Sequence, residues 1–287
     1  MLDVKGGRAG PDFVRGWPVA EPCVLITGGS AGIGRALAAA MVAAGWRVII
    51  ASRAPERGLA AQGDAPALGP RATAWPLDLT DLGSVAELGR RVAREQLALA
   101  AVVANAGVWP RRRIVTAAGL ELGFAVNHVG HAALIDAVAP ALGDGARVVV
   151  VASGLHQHGR IAWDDLALAR GFDAHAAYAQ AKLANVMYAL ALARRQPRWR
   201  VNAVHPGVVR TALHGDRAPA HAVAPAVAAR ALAALLLDAR HATTTGRYFD
   251  QATARRPAPL ALDRASQDRL WALTEALIRP RRGRATR

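Results

Sequence analysis

Lysine is almost missing from this chain: two lysines stand against thirty-four arginines. Where a positive charge alone is needed this composition supplies arginine. Lys182, the one lysine beyond the N-terminal extension, therefore marks a place for a compact ammonium on a flexible stem rather than a planar guanidinium fork. Cysteine is scarcer still. The lone Cys23 excludes an internal disulfide and, within Cys23-Val24-Leu25-Ile26, reads as a buried strand residue. Long apolar runs are also absent although 53% of the chain is hydrophobic. The runs 97–104, 183–193 (broken by Asn185) and 222–237 (broken by Arg230) fall short of the roughly 18 uninterrupted residues of a membrane span. The first twenty residues include Asp3, Lys5, Arg8 and Pro11 and hold no apolar signal core, so no membrane span and a cytoplasmic location are expected.

Acidic residues are outnumbered, leaving a formal charge of +15. The arginines are scattered, with local groups at Arg111–Arg113, at Arg194, Arg195, Arg198 and Arg200, and from Arg279 to Arg287. No helix-turn-helix, zinc-finger or aromatic-plus-basic pattern accompanies them, so the charge reads as a solvated surface and no nucleic-acid partner is expected. His156 and His158 have no cysteine or carboxylate cluster at ligand spacing, and no metal is expected.

Short apolar runs at 22–27, 47–52, 72–77, 99–104, 147–152, 200–205 and 246–249 alternate with alanine-rich helical stretches at 33–44, 82–96, 117–139, 174–195, 222–238 and 265–278. That alternation predicts an α/β fold: a single-domain, Rossmann-type, doubly wound parallel sheet of about seven strands with helices on both faces. The domain is expected over 21–279, between a polar extension at 1–20 and a basic tail at 280–287.

Tyr178-Ala-Gln-Ala-Lys182 sets a phenol and an ammonium four residues apart, on one face of a helix. A neighbouring ammonium favours the phenolate and brings a tyrosine closer to use as an acid or base at neutral pH. Taken alone, the pentapeptide reads equally well as a surface pair. After the first strand comes Thr27-Gly28-Gly29-Ser30-Ala31-Gly32-Ile33-Gly34 and then a helix, a turn suited to a dinucleotide pyrophosphate. The second strand ends in Ser52-Arg53 without the acidic residue that binds the ribose hydroxyls of NAD. Arg53 with Ser52 instead offers charge-assisted hydrogen bonds to a 2′-phosphate, so NADP is the expected cofactor.

These pieces resemble the short-chain dehydrogenases/reductases across roughly residues 22–250. The glycine turn is similar to that family's TGxxxGIG, and Asp78-Leu79 to its adenine-contacting segment. Asn105-Ala106-Gly107 is similar to its NAG motif, and Pro206-Gly207 with Val209 and Thr211 to the segment beside nicotinamide. Asn127, Ser153, Tyr178 and Lys182 stand where the family's catalytic tetrad stands. Val126-Asn127-His128-Val129-Gly130-His131 and His205-Pro206-Gly207-Val208-Val209-Arg210-Thr211 resemble the retinol dehydrogenase and WW-domain oxidoreductase branch. Ala132, where that branch usually has an aromatic, and the lack of an N-terminal anchor turn the expectation away from a membrane-derived retinoid.

The resemblance implies reduction of a carbonyl or oxidation of an alcohol. Tyr178 is the implied proton donor, Lys182 lowers its pKa and holds the nicotinamide ribose, Ser153 binds the carbonyl oxygen, and Asn127 positions a relay water. An apolar or alicyclic small molecule is the expected substrate; a non-catalytic NADP-sensing regulator is the alternative. His128 and His131 read as hydrogen-bonded helix histidines, while Trp109, Trp163 and Tyr188 suit either the core or a substrate pocket. The small-residue face from Ala174 to Ala193 permits close packing as a homodimer or homotetramer.

Overall fold

A computed structural model of the chain describes residues 21–60, 67–213 and 219–279. The expected extension at 1–20 and the expected tail at 280–287 lie outside these residues.

Valine, isoleucine and alanine runs form β1 (Cys23–Thr27), β2 (Arg47–Ser52), β3 (Ala72–Pro76), β4 (Leu99–Ala104), β5 (Leu142–Val151), β6 (Arg200–His205), β7 (Arg247–Asp250) and β8 (Thr253–Arg255). They join in one sheet of order β3-β2-β1-β4-β5-β6-β7-β8. All neighbours are parallel except β7 and β8. The eighth strand was not expected: three exposed residues on an edge carry no apolar alternation for sequence reasoning to find.

Residues along β1 alternate between two cores, which is why the run is apolar throughout. Cys23 and Leu25 face the core shared with α3 (Leu82–Arg94), α5 (Gly130–Val138) and α6 (Ala174–Arg195). Val24 and Ile26 face the core shared with α1 (Gly32–Ala43) and α7 (Pro225–Leu237). Burial pushes the Cys23 thiol up to about 11, against the opposing effect of Arg47, so the cysteine is an inert core residue.

Two boundaries moved. The helix expected over 117–139 begins as α4 (Leu122–Phe124), after Gly119 has broken the chain at φ +76° and the fully buried Glu121 has capped the helix. The Glu121 carboxylate accepts from the amides of Gly123 and Phe124 at 2.8 Å each. α4 runs through a π turn, Ala125–Val129, into α5. β5 starts at Leu142, five residues before expected, where Leu142 pairs with Leu99 across a register shift. Gly143, Asp144 and Gly145 mask that pairing in the sequence.

The stretch Leu122–Ala141 has the length and apolarity of a membrane span, and 78% of its apolar window is buried inside the chain. α8 (Pro259–Leu262) and α9 (Arg264–Ile278) pack along α6, and every α6 residue from Ala177 to Ala193 is buried within the single chain. The small-residue face expected to pair with another copy is thus occupied by the chain's own C-terminal helix. The strand order reverses between β1 and β4, and the cleft outside their carboxyl ends is where an open α/β sheet takes a ligand.

Candidate active site

The turn after β1 lines this cleft because glycine lets it bend there. Gly28 has φ +67°, a left-handed conformation that a side chain resists, and a Cβ on Gly34 would stand 2.5 Å from the Gly28 carbonyl oxygen. Ala31 at the N-cap of α1 offers no side-chain cap, and Ala31, Gly32 and Ile33 form part of the cavity wall, so the start of the helix faces the cavity. The cavity measures about 1030 Å³. Gly28, Ser30, Ser52, Arg53, Asp78, Leu79, Asn105, Ala106 and Gly107 line one part, and Ser153, Tyr178, Lys182, Pro206, Gly207, Val209 and Thr211 another.

Near the end of β2 the buried Ser52 hydroxyl finds no hydrogen-bond partner among the described residues, and Arg53 and Arg57 stand on the same wall. Partial burial works to raise the Asp78 carboxyl. The Thr80 amide and hydroxyl, at 2.8 and 2.7 Å, and the Arg53 charge outweigh it and hold the group below the usual carboxylate range. An anion-accepting wall with one orphaned hydroxyl fits the ribose and phosphate end of a dinucleotide.

Tyr178 and Lys182 project from the N-terminal half of α6 into the other part of the cavity, the ammonium 5.6 Å from the phenol ring centre. Burial pushes the Tyr178 phenol far above its ordinary range, and only the Ser153 hydroxyl opposes this. Burial also pushes the Lys182 ammonium down to about 8. Lys182 Nζ donates to the Val151 carbonyl at 2.9 Å, and Asn185 Nδ2 shares that acceptor at 3.1 Å. Ser153 lines the cavity and caps the 3₁₀ turn Gly154–His158, accepting from the Leu155 amide at 3.3 Å. Its backbone carbonyl is gripped by His156 Nδ1 at 2.7 Å, while His156 Nε2 accepts from the Ala258 amide at 3.2 Å.

Three residues expected at the site stand behind its wall: Thr27, Gly34 and Asn127 do not line the cavity. The Thr27 hydroxyl accepts from the amides of Asn105 and Ala106 at 2.9 Å each, binding the glycine turn to the turn after β4. Asn127 spends both ends of its side-chain amide on Val108: Oδ1 accepts from the Val108 amide at 2.8 Å and Nδ2 donates to the Val108 carbonyl at 2.9 Å. Its side chain therefore clamps the loop after β4. His131 joins the two groups, with Nδ1 donating to the Asn127 carbonyl at 3.0 Å and Nε2 2.8 Å from the Thr27 hydroxyl. The donor at Nδ1 leaves Nε2 to accept from the threonine.

Arg57, Asn185, His175 and His205 were not foreseen as site residues. Arg57 lies four residues beyond Arg53, in the short helix α2 (Glu56–Leu59), and that spacing is the one local signal it gives. Of the three ambiguous aromatics, Trp109 lines the cavity. Trp163 packs under Arg269, 4.4 Å from its ring centre, and Tyr188 stacks on Trp271 at 5.2 Å.

A family profile described as short chain dehydrogenase matches residues 22–222. Human retinol dehydrogenase 13 is 33% identical over 277 residues, covering 89% of this chain and 84% of its own length. Polyprenol dehydrogenase of Danio rerio is 32% identical over 293 residues, covering 88% and 86%. Among solved structures, a short chain dehydrogenase from Burkholderia cenocepacia in complex with NADP superposes with a TM-score of 0.65 at 28% identity, covering 80% of this chain and 95% of that one. Sheet order, cleft and motif positions agree with these likenesses, and the chain belongs to the short-chain dehydrogenase family, on its retinol dehydrogenase branch.

Proposed function

We propose that the protein is an NADP-dependent oxidoreductase that interconverts a carbonyl and an alcohol on an apolar or alicyclic small molecule. One observation carries this reading: the glycine turn, Arg53, Ser153, Tyr178 and Lys182 all open onto one cavity. The preference for NADP rests on Ser52, Arg53 and Arg57 with no acidic side chain at the end of β2, and the solved relative described above holds NADP. When bound, the cofactor supplies the hydride.

The chain's own residues then have separable tasks. Tyr178, held protonated by burial, donates its proton to the carbonyl oxygen as negative charge develops there. Ser153 hydrogen-bonds the same oxygen. Lys182, fixed on the Val151 carbonyl, presents its charge to the ribose and favours the phenolate left behind. Trp109, Leu155, Val208 and Leu213 give the substrate side an apolar surface. A cytoplasmic location belongs to the same reading, with Leu122–Ala141 serving as a core helix. Because α9 covers α6, a homodimer or homotetramer would have to form through another surface.

The test is Tyr178→Phe, which keeps the ring and removes the donor. We expect NADPH binding to persist while turnover of a ketone and aldehyde panel, followed by NADPH absorbance, falls by on the order of a hundredfold or more. Unchanged turnover refutes the assignment, and tighter binding of NADH than NADPH refutes the cofactor preference.

A further inference from the structure

The proton donor is held from outside its own helix. Trp109, on the loop after β4, stacks on the Tyr178 ring with centres 4.5 Å apart and planes 15° from parallel. Its indole Nε1 donates to the Ala174 carbonyl at 2.8 Å. Ala174 lies four residues before Tyr178, so its carbonyl belongs to the turn of α6 that presents the phenol. The indole is itself held: the Arg111 guanidinium lies 4.2 Å over its ring, and His175 meets it edge-on at 5.0 Å. The residue before it, Val108, is clamped at both its amide and its carbonyl by Asn127.

We propose that Trp109 is the positioning residue of the reaction: through the Asn127 clamp on Val108 it ties the Asn105–Gly107 turn to the ring of Tyr178 and fixes the direction from which the phenol reaches a substrate. The proposal rests on the functional reading above and adds to it a residue outside the expected tetrad. A stacked indole removes water from one face of the phenol and limits ring rotation. The hydroxyl is thereby confined to the narrow geometry that proton transfer requires, where a displacement of about 1 Å costs on the order of a hundredfold. A tryptophan serving only as core filler has no need of a parallel ring contact with the donor together with a hydrogen bond to the donor's helical turn.

Trp109→Ala and Trp109→Phe test this, phenylalanine retaining a ring to stack and losing the N–H. For Trp109→Ala we expect turnover to fall on the order of tenfold to a hundredfold with the NADPH dissociation constant changed less than about threefold. Trp109→Phe should restore most of the turnover. The second readout needs no substrate. The chain has three tyrosines, so labelling the tyrosine Cζ carbon gives three resonances, and Tyr178→Phe identifies one. Lys182, His175, Arg111 and His205 are the charged and titratable groups around the pair, and neither variant replaces any of them. Admitting water beside the phenol should make the Tyr178 resonance titrate at lower pH in Trp109→Ala, while those of Tyr188 and Tyr248 stay where they are.

The proposal is overturned if Trp109→Ala keeps wild-type turnover, if it loses NADPH binding as much as turnover, if Trp109→Phe is as impaired as Trp109→Ala, or if the Tyr178 titration does not move. Wild-type protein that binds NADPH and turns over nothing defeats the functional reading instead. In that event the resonance titration alone decides the contact, an unmoved resonance overturning it.

Discussion

Replacing Thr27 by valine removes one oxygen from the best-connected point behind the cavity. That oxygen accepts from two amides, those of Asn105 and Ala106, and meets His131 Nε2 at 2.8 Å. Thr27 and His131 are both buried, whereas Asn105 and Ala106 are half-buried beside the cavity. Water reaches the two amides in part, so each orphaned donor costs toward the lower end of the range for an unsatisfied group, about 1 kcal/mol. The histidine nitrogen, out of reach of water, costs about 1–2 kcal/mol. The net loss is about 3 kcal/mol once the added methyl's packing is allowed for, or roughly 6–12 °C in Tm for a chain of this size. Thr27→Ser keeps the oxygen and gives up one methyl, a loss of about 1 kcal/mol. Denaturant unfolding of both variants beside wild type measures this. If Thr27→Val lies within about 0.5 kcal/mol of wild type, or if serine is as damaging as valine, the hydroxyl does not hold the two turns together.

Gly34→Ala should abolish dinucleotide binding, read as loss of NADPH fluorescence enhancement, because the new Cβ would meet the Gly28 carbonyl oxygen of the glycine turn at 2.5 Å and Asn105 Nδ2, on the turn after β4, at 2.6 Å. Near-wild-type affinity would contradict the geometry. Burial pushes His128 down to about 3 and His131 down to about 4 from an ordinary 6.5, so both are neutral in the folded chain where an unfolded chain would bind protons. Their stabilising effect is complete above pH 6.5 and is lost as pH falls through that value toward 4 and then 3, with a slope of about 1.4 kcal/mol per pH unit for each histidine. His131→Gln should flatten that acid slope by about half in urea titrations at stepped pH; an unchanged slope would mean that His131 does not remain neutral on folding.

The parts of the fold that follow from periodicity were open to reading in the sequence. β1 from Cys23 to Ile26, β2 from Val48 to Ala51 and β4 throughout are continuous apolar runs because both faces of the sheet are covered, and such runs have few alternatives between helical stretches. The cofactor turn was legible because glycine has a backbone meaning: Gly28 needs its positive φ whatever else surrounds it. Features that depend on a distant partner were not. Glu121 looks like a surface acid until the chain buries it as a cap, and β8 acquires its identity only by pairing with β7. Tyr178 and Lys182 share a face by helical spacing, as expected. What each side chain touches there, Trp109 in one case and the Val151 carbonyl in the other, depends on loops from other strands.

The same distinction explains why Thr27 and Asn127 were assigned to the cavity when they stand behind it. A polar residue within a motif suggests contact with ligand, yet burial out of reach of water obliges each such group to find a partner in the chain. Thr27 finds the Asn105–Ala106 amides, Asn127 finds Val108, and His131 closes the gap between them. Their common effect is to make one body of two loops that leave different strands. The glycine turn follows β1 and the Asn105–Trp109 segment follows β4, on either side of the reversal in strand order. In the proposed reaction a cofactor would lie across that reversal, and hydride and proton would have to meet on one carbonyl. The tolerance for relative movement between the loops is thus set by the chemistry, and short hydrogen bonds anchored on the buried side chains of Thr27, Asn127 and His131 resist such movement better than side chains at the rim, where water competes for every donor.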